Sequence, residues 1–236
     1  MKRSMIVLVG VVAVMLAVTV YQAMATTYVE TFSSNNAGWE AATVNDGGGS
    51  TYPAATWQAT GGNPDGNISG TLGTSADRLY TLDCSYNTAP YGDMTGLKLT
   101  VDYKIDGTVT GPVGHTVRFY VGTYSGGNNY FVSNDTYSWD PNADTAWTTH
   151  QVDLVATNFL QWSNQSAGNK TFAQVIAAPE DMGLVFADGF TSNSTLGFTG
   201  SGTVHIDNFG TIPEPATLGL LALGGAGLLA RRRRGK

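Results

Sequence analysis

The chain has 236 residues, thirty of them glycine, and a formal net charge of −6. Seven of its twelve basic residues lie close to the termini (Lys2, Arg3, Arg231, Arg232, Arg233, Arg234 and Lys236), so residues 26–212 keep five basic against seventeen acidic side chains, a net of 5 − 17 = −12. A body this acidic is a poor partner for nucleic acid and a suitable one for cations, and a single cysteine, Cys84, rules out a disulfide within the chain.

In chain order, Lys2 and Arg3 precede an uncharged apolar stretch from Met5 to Val20, and Ala23-Met24-Ala25 follows it. A basic start, an apolar segment and small residues form the pattern of a secretory signal peptide over residues 1–25, with cleavage before Thr26. An uncleaved N-terminal anchor is the alternative, and both export the body. Residues 26–212 then suffice for one domain that buries about 70% of its unfolded surface.

Period two dominates that body. Leu97, Leu99, Val101, Tyr103 and Ile105 alternate with Lys98, Thr100, Asp102, Lys104 and Asp106, which predicts a strand with one apolar and one wet face. Val117, Phe119 and Val121 alternate with Thr116, Arg118 and Tyr120 in the same way. Further strands are expected at 28–32, 78–82, 130–133, 147–154, 184–187 and 203–209, with one short helix over 172–177. Clusters such as Asp46-Gly47-Gly48-Gly49 and Gly61-Gly62-Asn63-Pro64-Asp65-Gly66 separate them as turns. Many short strands with one apolar face each predict an all-β protein, a single β-sandwich of the jelly-roll kind. A β-solenoid needs a repeat of fixed period, and none is found.

Within this frame Cys84 reads as a small buried apolar residue, Trp39 and Trp57 as plugs of the sandwich core, Asp102 with Lys104 and Asp106 as a solvated charge ladder, and Glu180-Asp181 after Pro179 as a turn. Sugar binding requires exposed aromatic platforms flanked by amides and carboxylates, because a pyranose offers an apolar C–H face and hydroxyl edges. Tyr124, Tyr130, Tyr137 and Trp139, with Asn128 and Asp135 beside them, concentrate those residue types in one segment. Catalysis finds no such signal. His115, His150 and His205 are scattered, no Gly-x-Ser-x-Gly elbow or phosphate loop occurs, and no catalytic residue is assigned.

The chain ends with Pro213-Glu214-Pro215, an apolar run from Ala216 to Ala230, and Arg231 to Arg234. Proline removes a backbone donor and like charges repel, so this order suits a membrane signal better than a core helix. Fifteen residues at about 1.5 Å each span roughly 22 Å, short of the roughly 30 Å hydrocarbon layer, so a processed signal fits better than a lifelong anchor. The arginines belong on the cytoplasmic side and the body outside.

Residues 213–236 closely resemble the PEP-CTERM sorting signal of bacterial envelope proteins, a tail also labelled an ice-binding protein C-terminal domain. The resemblance implies a transmembrane sorting helix, an exosortase-type enzyme that recognises Pro213-Glu214-Pro215 and removes the tail, and delivery to the cell envelope, surface or extracellular matrix. The body resembles jelly-roll carbohydrate-binding modules with a galactose-binding-like fold, through Glu30-Thr31-Phe32 with Gly38-Trp39, Trp57 with the glycine-rich loop 61–66, and His205-Ile206-Asp207-Asn208-Phe209. That likeness implies adjacent first and last strands and a structural calcium ion held by Glu30 and Asp207, with Asp65 or Asn67 completing the set. The expected function is a noncatalytic exported surface or matrix protein associated with polysaccharide. A dedicated lectin is the first alternative and a glycan hydrolase or lyase the second.

Overall fold

The computed structural model describes residues 27–45, 51–71, 78–84, 88–108, 115–162, 168–188 and 202–213, so the expected signal peptide and sorting helix lie outside the described residues. Two antiparallel six-stranded sheets face each other. The first contains β1 (Val29–Glu30), β3 (Thr56–Gln58), β4 (Asn67–Thr71), β6 (Leu97–Asp106), β9 (Thr148–Asp153) and β12 (Thr203–Pro213), in the order β3-β4-β12-β6-β9 with β1 also paired to β12. The second contains β2 (Glu40–Asn45), β5 (Arg78–Asp83), β7 (His115–Thr123), β8 (Asn129–Ser133), β10 (Phe159–Gln161) and β11 (Asp181–Asp188), in the order β10-β8-β7-β11-β5-β2. Apart from the consecutive pairs β3-β4 and β7-β8, neighbours in both sheets are non-consecutive, which gives the jelly-roll β-sandwich that the alternation predicts.

The core lies where the alternating apolar faces meet. Leu99, Val101, Tyr103 and Ile105 of β6, with Val204 and Ile206 of β12, pack across the gap from Val117, Phe119 and Val121 of β7 and Met182, Leu184 and Phe186 of β11. Trp39 is fully buried and meets Phe32 and Phe209 edge-on, at 5.5 and 4.7 Å between ring centres. Cys84 is buried as expected, and its burial pushes the thiol well up from its ordinary value. The helix α1 (Phe172–Ala177) takes its predicted bounds, because Thr171 and Gln174 form a reciprocal capping box and Phe172, Val175 and Ile176 turn inward.

The first and last strands are neighbours, Val29 opposite Gly210 and Glu30 opposite Phe209. β12 occupies the interior of its sheet and carries a register shift between Asp207 and Gly210, where Asn208 takes a left-handed φ of 49°.

Three expectations require correction. Trp57 is no core plug: it sits on edge strand β3 with 38% of its surface exposed, its indole N–H donating to the Phe32 carbonyl at 2.7 Å. Asp181 is not in a turn, since β11 begins there. Asp102 is no solvated rung either, because Thr149 Oγ1 (2.5 Å), Asn63 Nδ2 (3.1 Å) and Asn208 Nδ2 (2.7 Å) donate to its buried carboxylate. The rest of that ladder does behave as read, Lys104 pairing with Asp106 at 2.9 Å.

Candidate functional site

In the second sheet the register sets one group of side chains on the face turned away from the core. Tyr120 and Asp83 both lie opposite Gly183, Tyr130 opposite Gly122, and Asp181 opposite Gly122 from the other side. Side chains opposite one another in an antiparallel ladder share a face, so Tyr120, Tyr130, Asp83 and Asp181 meet there. Trp162, tied by its N–H to the Tyr130 carbonyl at 2.9 Å, and the half-buried Tyr124 complete an aromatic group. Ring centres lie 6.0 to 6.2 Å apart along Tyr124–Tyr130, Tyr130–Trp162, Tyr120–Trp162 and Tyr120–Tyr130.

Two glycines admit this arrangement. A Cβ on Gly122 would fall 2.4 Å from atoms of the Tyr130 ring, so the ring lies flat over the glycine. A Cβ on Gly183 would fall 2.1 Å from the Leu82 carbonyl oxygen, so β5 and β11 approach there only without a side chain.

Asp181 is the polar centre. Tyr120 donates its O–H to Oδ1 at 3.0 Å and Tyr124 donates to Oδ2 at 2.8 Å. Burial, and then the nearby Asp83 carboxylate, push the Asp181 carboxyl from its ordinary 3.8 up to about 7, against the pull of the tyrosine hydroxyls. Thr81 Oγ1 donates to Asp83 at 2.5 Å. Next to this group Arg118, buried on the same strand as Tyr120, donates to the Ser133 carbonyl at 3.0 Å and pairs with the exposed Asp135. Glu180 accepts the backbone N–H groups of Tyr124 (2.6 Å) and Ser125 (2.9 Å) and so fixes the mouth of the group.

The six residues the sequence nominates for sugar therefore divide. Tyr124 and Tyr130 belong to this group, whereas the exposed Asp135 pairs with Arg118, two residues before Tyr120 on β7. Asn128 is exposed, its carbonyl receiving the Gly168 N–H at 2.9 Å. Tyr137 and Trp139 go elsewhere, half-buried against the core, where Trp139 stacks on the His150 ring at 3.9 Å and meets Tyr103 edge-on at 5.6 Å. Trp162, Asp83 and Asp181 were not nominated. For Asp181 alone a signal is available, because extending the alternation of Met182, Leu184 and Phe186 back by one residue puts it on the opposite face.

The residues nominated for calcium lie at the far side of the first sheet. Glu30 accepts the Tyr28 O–H at 2.7 Å and the Phe32 N–H at 3.1 Å. Asp207 accepts the N–H groups of Asn63 and Asn208, each at 2.7 Å; burial, then repulsion from Asp102 and Asp65, push its carboxyl up to about 6 against those bonds. Asn67 is committed, its Nδ2 donating to the Thr60 carbonyl at 3.2 Å and its Oδ1 accepting from His205 Nδ1 at 3.0 Å. Asp65 is exposed, with its carbonyl accepting from Gly62 at 2.8 Å. Oxygens do crowd the glycine-rich loop: a Cβ on Gly66 would lie 2.3 Å from the Phe32 carbonyl, and one on Gly62 would lie 2.0 Å from the Gly66 carbonyl and 2.8 Å from Asp207 Oδ2. The donors on this path are two carboxylates and two carbonyls, fewer than the six to eight oxygens calcium takes. Among the described residues no three His, Cys, Asp or Glu side chains are grouped to hold a metal.

The two facing sheets have the jelly-roll β-sandwich architecture also seen in solved carbohydrate-binding modules. The chain is similar to the family 11 carbohydrate-binding module of the cellulosomal cellulase Lic26A-Cel5E of Clostridium thermocellum, at 16% identity and a TM-score of 0.52 over 80% of this chain and 95% of that one. It is likewise similar to the solution structure of CtCBM11, at 18% identity and a TM-score of 0.50 over 80% and 96%. Residues 211–234 match the PEP-CTERM protein-sorting motif, so the chain carries the sorting tail of an exported protein. No curated protein sequence matches the chain. Among the described residues no helix is long and apolar enough to cross a membrane.

Proposed function

We propose that this is a noncatalytic protein of the cell surface or extracellular matrix, passed outward by an exosortase-type enzyme that acts on its tail, whose sandwich associates with extracellular polysaccharide. The observation that carries the second half is the group around Asp181, in which Tyr120, Tyr130 and Trp162 are buried and hold the half-buried Tyr124 ring beside a carboxylate that accepts its hydroxyl. Tyr124 is the ring at its accessible margin. The fold shared with carbohydrate-binding modules supports the same reading. A net charge of −12 over residues 26–212 favours neutral over anionic polysaccharides.

The test is binding of purified body to a panel of neutral and acidic polysaccharides, with release of reducing ends followed in the same samples. Retention by a neutral glycan without new reducing ends is the expected result. Hydrolysis would transfer Asp83 and Asp181 to a catalytic reading, and uniform lack of binding by folded protein would reject the association.

A calcium ion at Glu30 and Asp207, with the carbonyls of Phe32 and Gly66 and with water supplying the two to four further oxygens that calcium takes, is part of the same proposal. Both Phe32 (φ 47°) and Asn208 (φ 49°), which flank that corner, hold left-handed backbone that a side chain disfavours, a strain in keeping with a demanding local geometry.

A further inference from the structure

We propose that the end of the sandwich from which β12 leaves is a docking surface for the membrane-embedded enzyme that removes the tail. The inference rests on the sorting reading above and adds the body to what the enzyme recognises.

The matched sorting motif begins at residue 211, yet β12 runs to Pro213. Thr211 pairs with Leu99, Ile212 with Lys98 and Pro213 with Leu97, so the first residues of the motif are rungs of a sheet. Thr211 is fully buried, donating its N–H to the Tyr28 carbonyl at 2.7 Å while its Oγ1 accepts the Tyr28 N–H at 3.2 Å. Only Glu214 and Pro215 separate this ladder from the apolar run that starts at Ala216. Two intervening residues bridge about 10 Å at full extension. An enzyme that engages Pro213-Glu214-Pro215 at the membrane has no room to do so without touching the sheet end.

A second observation, made at the other terminus, points to the same end. β1 runs antiparallel to β12, so residues 27 and 28, where the body emerges from the segment read as an export signal, lie beside Thr211. Both membrane-directed segments leave the sandwich together. β9 finishes there too, Asp153 opposite Lys98 and bridged to it at 2.6 Å, with the Leu154 N–H donating to the Leu97 carbonyl at 3.0 Å. Around this end Val29 (36%) and Val155 (40%) are two of the large apolar side chains that remain exposed. They stand on either side of β12, one on β1 and one just after β9, where a partner held by so short a tether meets both.

The experiment uses the full chain in a host with its sorting enzyme and follows tail removal by the change in mass. Val29→Asp with Val155→Asp places charge on the rim without entering the core, and thermal unfolding of the processed protein checks that the fold is kept. A second pair of chains carries a flexible ten-residue insertion between Ile212 and Pro213, with and without the two substitutions. Docking predicts several-fold slower removal of the tail in the charged variant at native spacing, and a rate insensitive to the charges once the insertion frees the tail. Removal at the parental rate in the charged variant overturns the docking surface while leaving the sorting reading intact. Equal slowing with and without the insertion overturns it as well, because the charges then act away from the enzyme. If the parent never loses its tail and export is unchanged by deleting residues 213–236, the sorting reading itself fails and the docking surface with it.

Discussion

Replacing Asp181 by Asn should remove a specific part of the pH dependence of stability. The folded state holds the Asp181 carboxyl at about 7 against an ordinary 3.8, so it binds a proton more tightly than the unfolded chain does. Stability from this group is complete below about pH 4 and is lost as the pH rises through about 7. Each pH unit between the two values is linked to about 1.4 kcal/mol, giving up to about 4 kcal/mol between pH 4 and pH 8. Asn presents one acceptor and one donor to Tyr120 and Tyr124, as the protonated acid does, and cannot ionise. Urea unfolding of parent and Asp181→Asn from pH 4 to 8 should therefore show similar stabilities at the acid end and a variant that is more stable by about 2 to 4 kcal/mol at pH 8. Asp207, raised to about 6, contributes to the same downward trend in both proteins and cancels in the comparison. Parallel pH profiles for the two proteins would refute the claim that burial among the rings and Asp83 raises Asp181.

Other outcomes follow from the same geometry. Gly183→Ala forces a Cβ to 2.1 Å from a backbone oxygen that has little freedom to move, and should cost about 3 kcal/mol in chemical denaturation. Trp39→Ala empties the centre of the core and should cost about 4 kcal/mol, whereas Trp57→Ala loses mainly one hydrogen bond at an edge and should cost about 1 kcal/mol; equal losses would contradict their different burial. Calcium at millimolar concentration should raise the melting temperature of the parent and leave that of Asp207→Asn unchanged, and a parent indifferent to calcium and chelator removes the ion from the account.

What could be read in advance follows a physical division. Leu97 to Asp106 alternates because one face of β6 meets the core and the other meets water, and that contrast is written residue by residue. β2, β3, β4 and β10 escaped because they are short or carry small residues, as in Asn67-Ile68-Ser69-Gly70-Thr71, and their strand state is imposed by neighbours such as β12. The bounds of α1 were legible since its capping box is local in sequence. The candidate site was legible only in part. Tyr124 and Tyr130 declare themselves by composition, but Asp83 and Asp181 join them through pairings between β5, β7, β8 and β11, and Trp162 through the pairing of β10 with β8. Trp139 has the composition of a sugar platform and the position of a core wall, and only the third dimension separates the two.

The most direct test of the account is affinity electrophoresis of the body through gels containing single polysaccharides, for the parent and for a Tyr124→Ala, Trp162→Ala variant whose folding is confirmed by its unfolding transition. Polysaccharide association through this group should retard the parent in at least one neutral polysaccharide and restore free mobility in the variant. A folded parent that migrates freely through every gel would contradict it, as would a variant retarded as strongly as its parent.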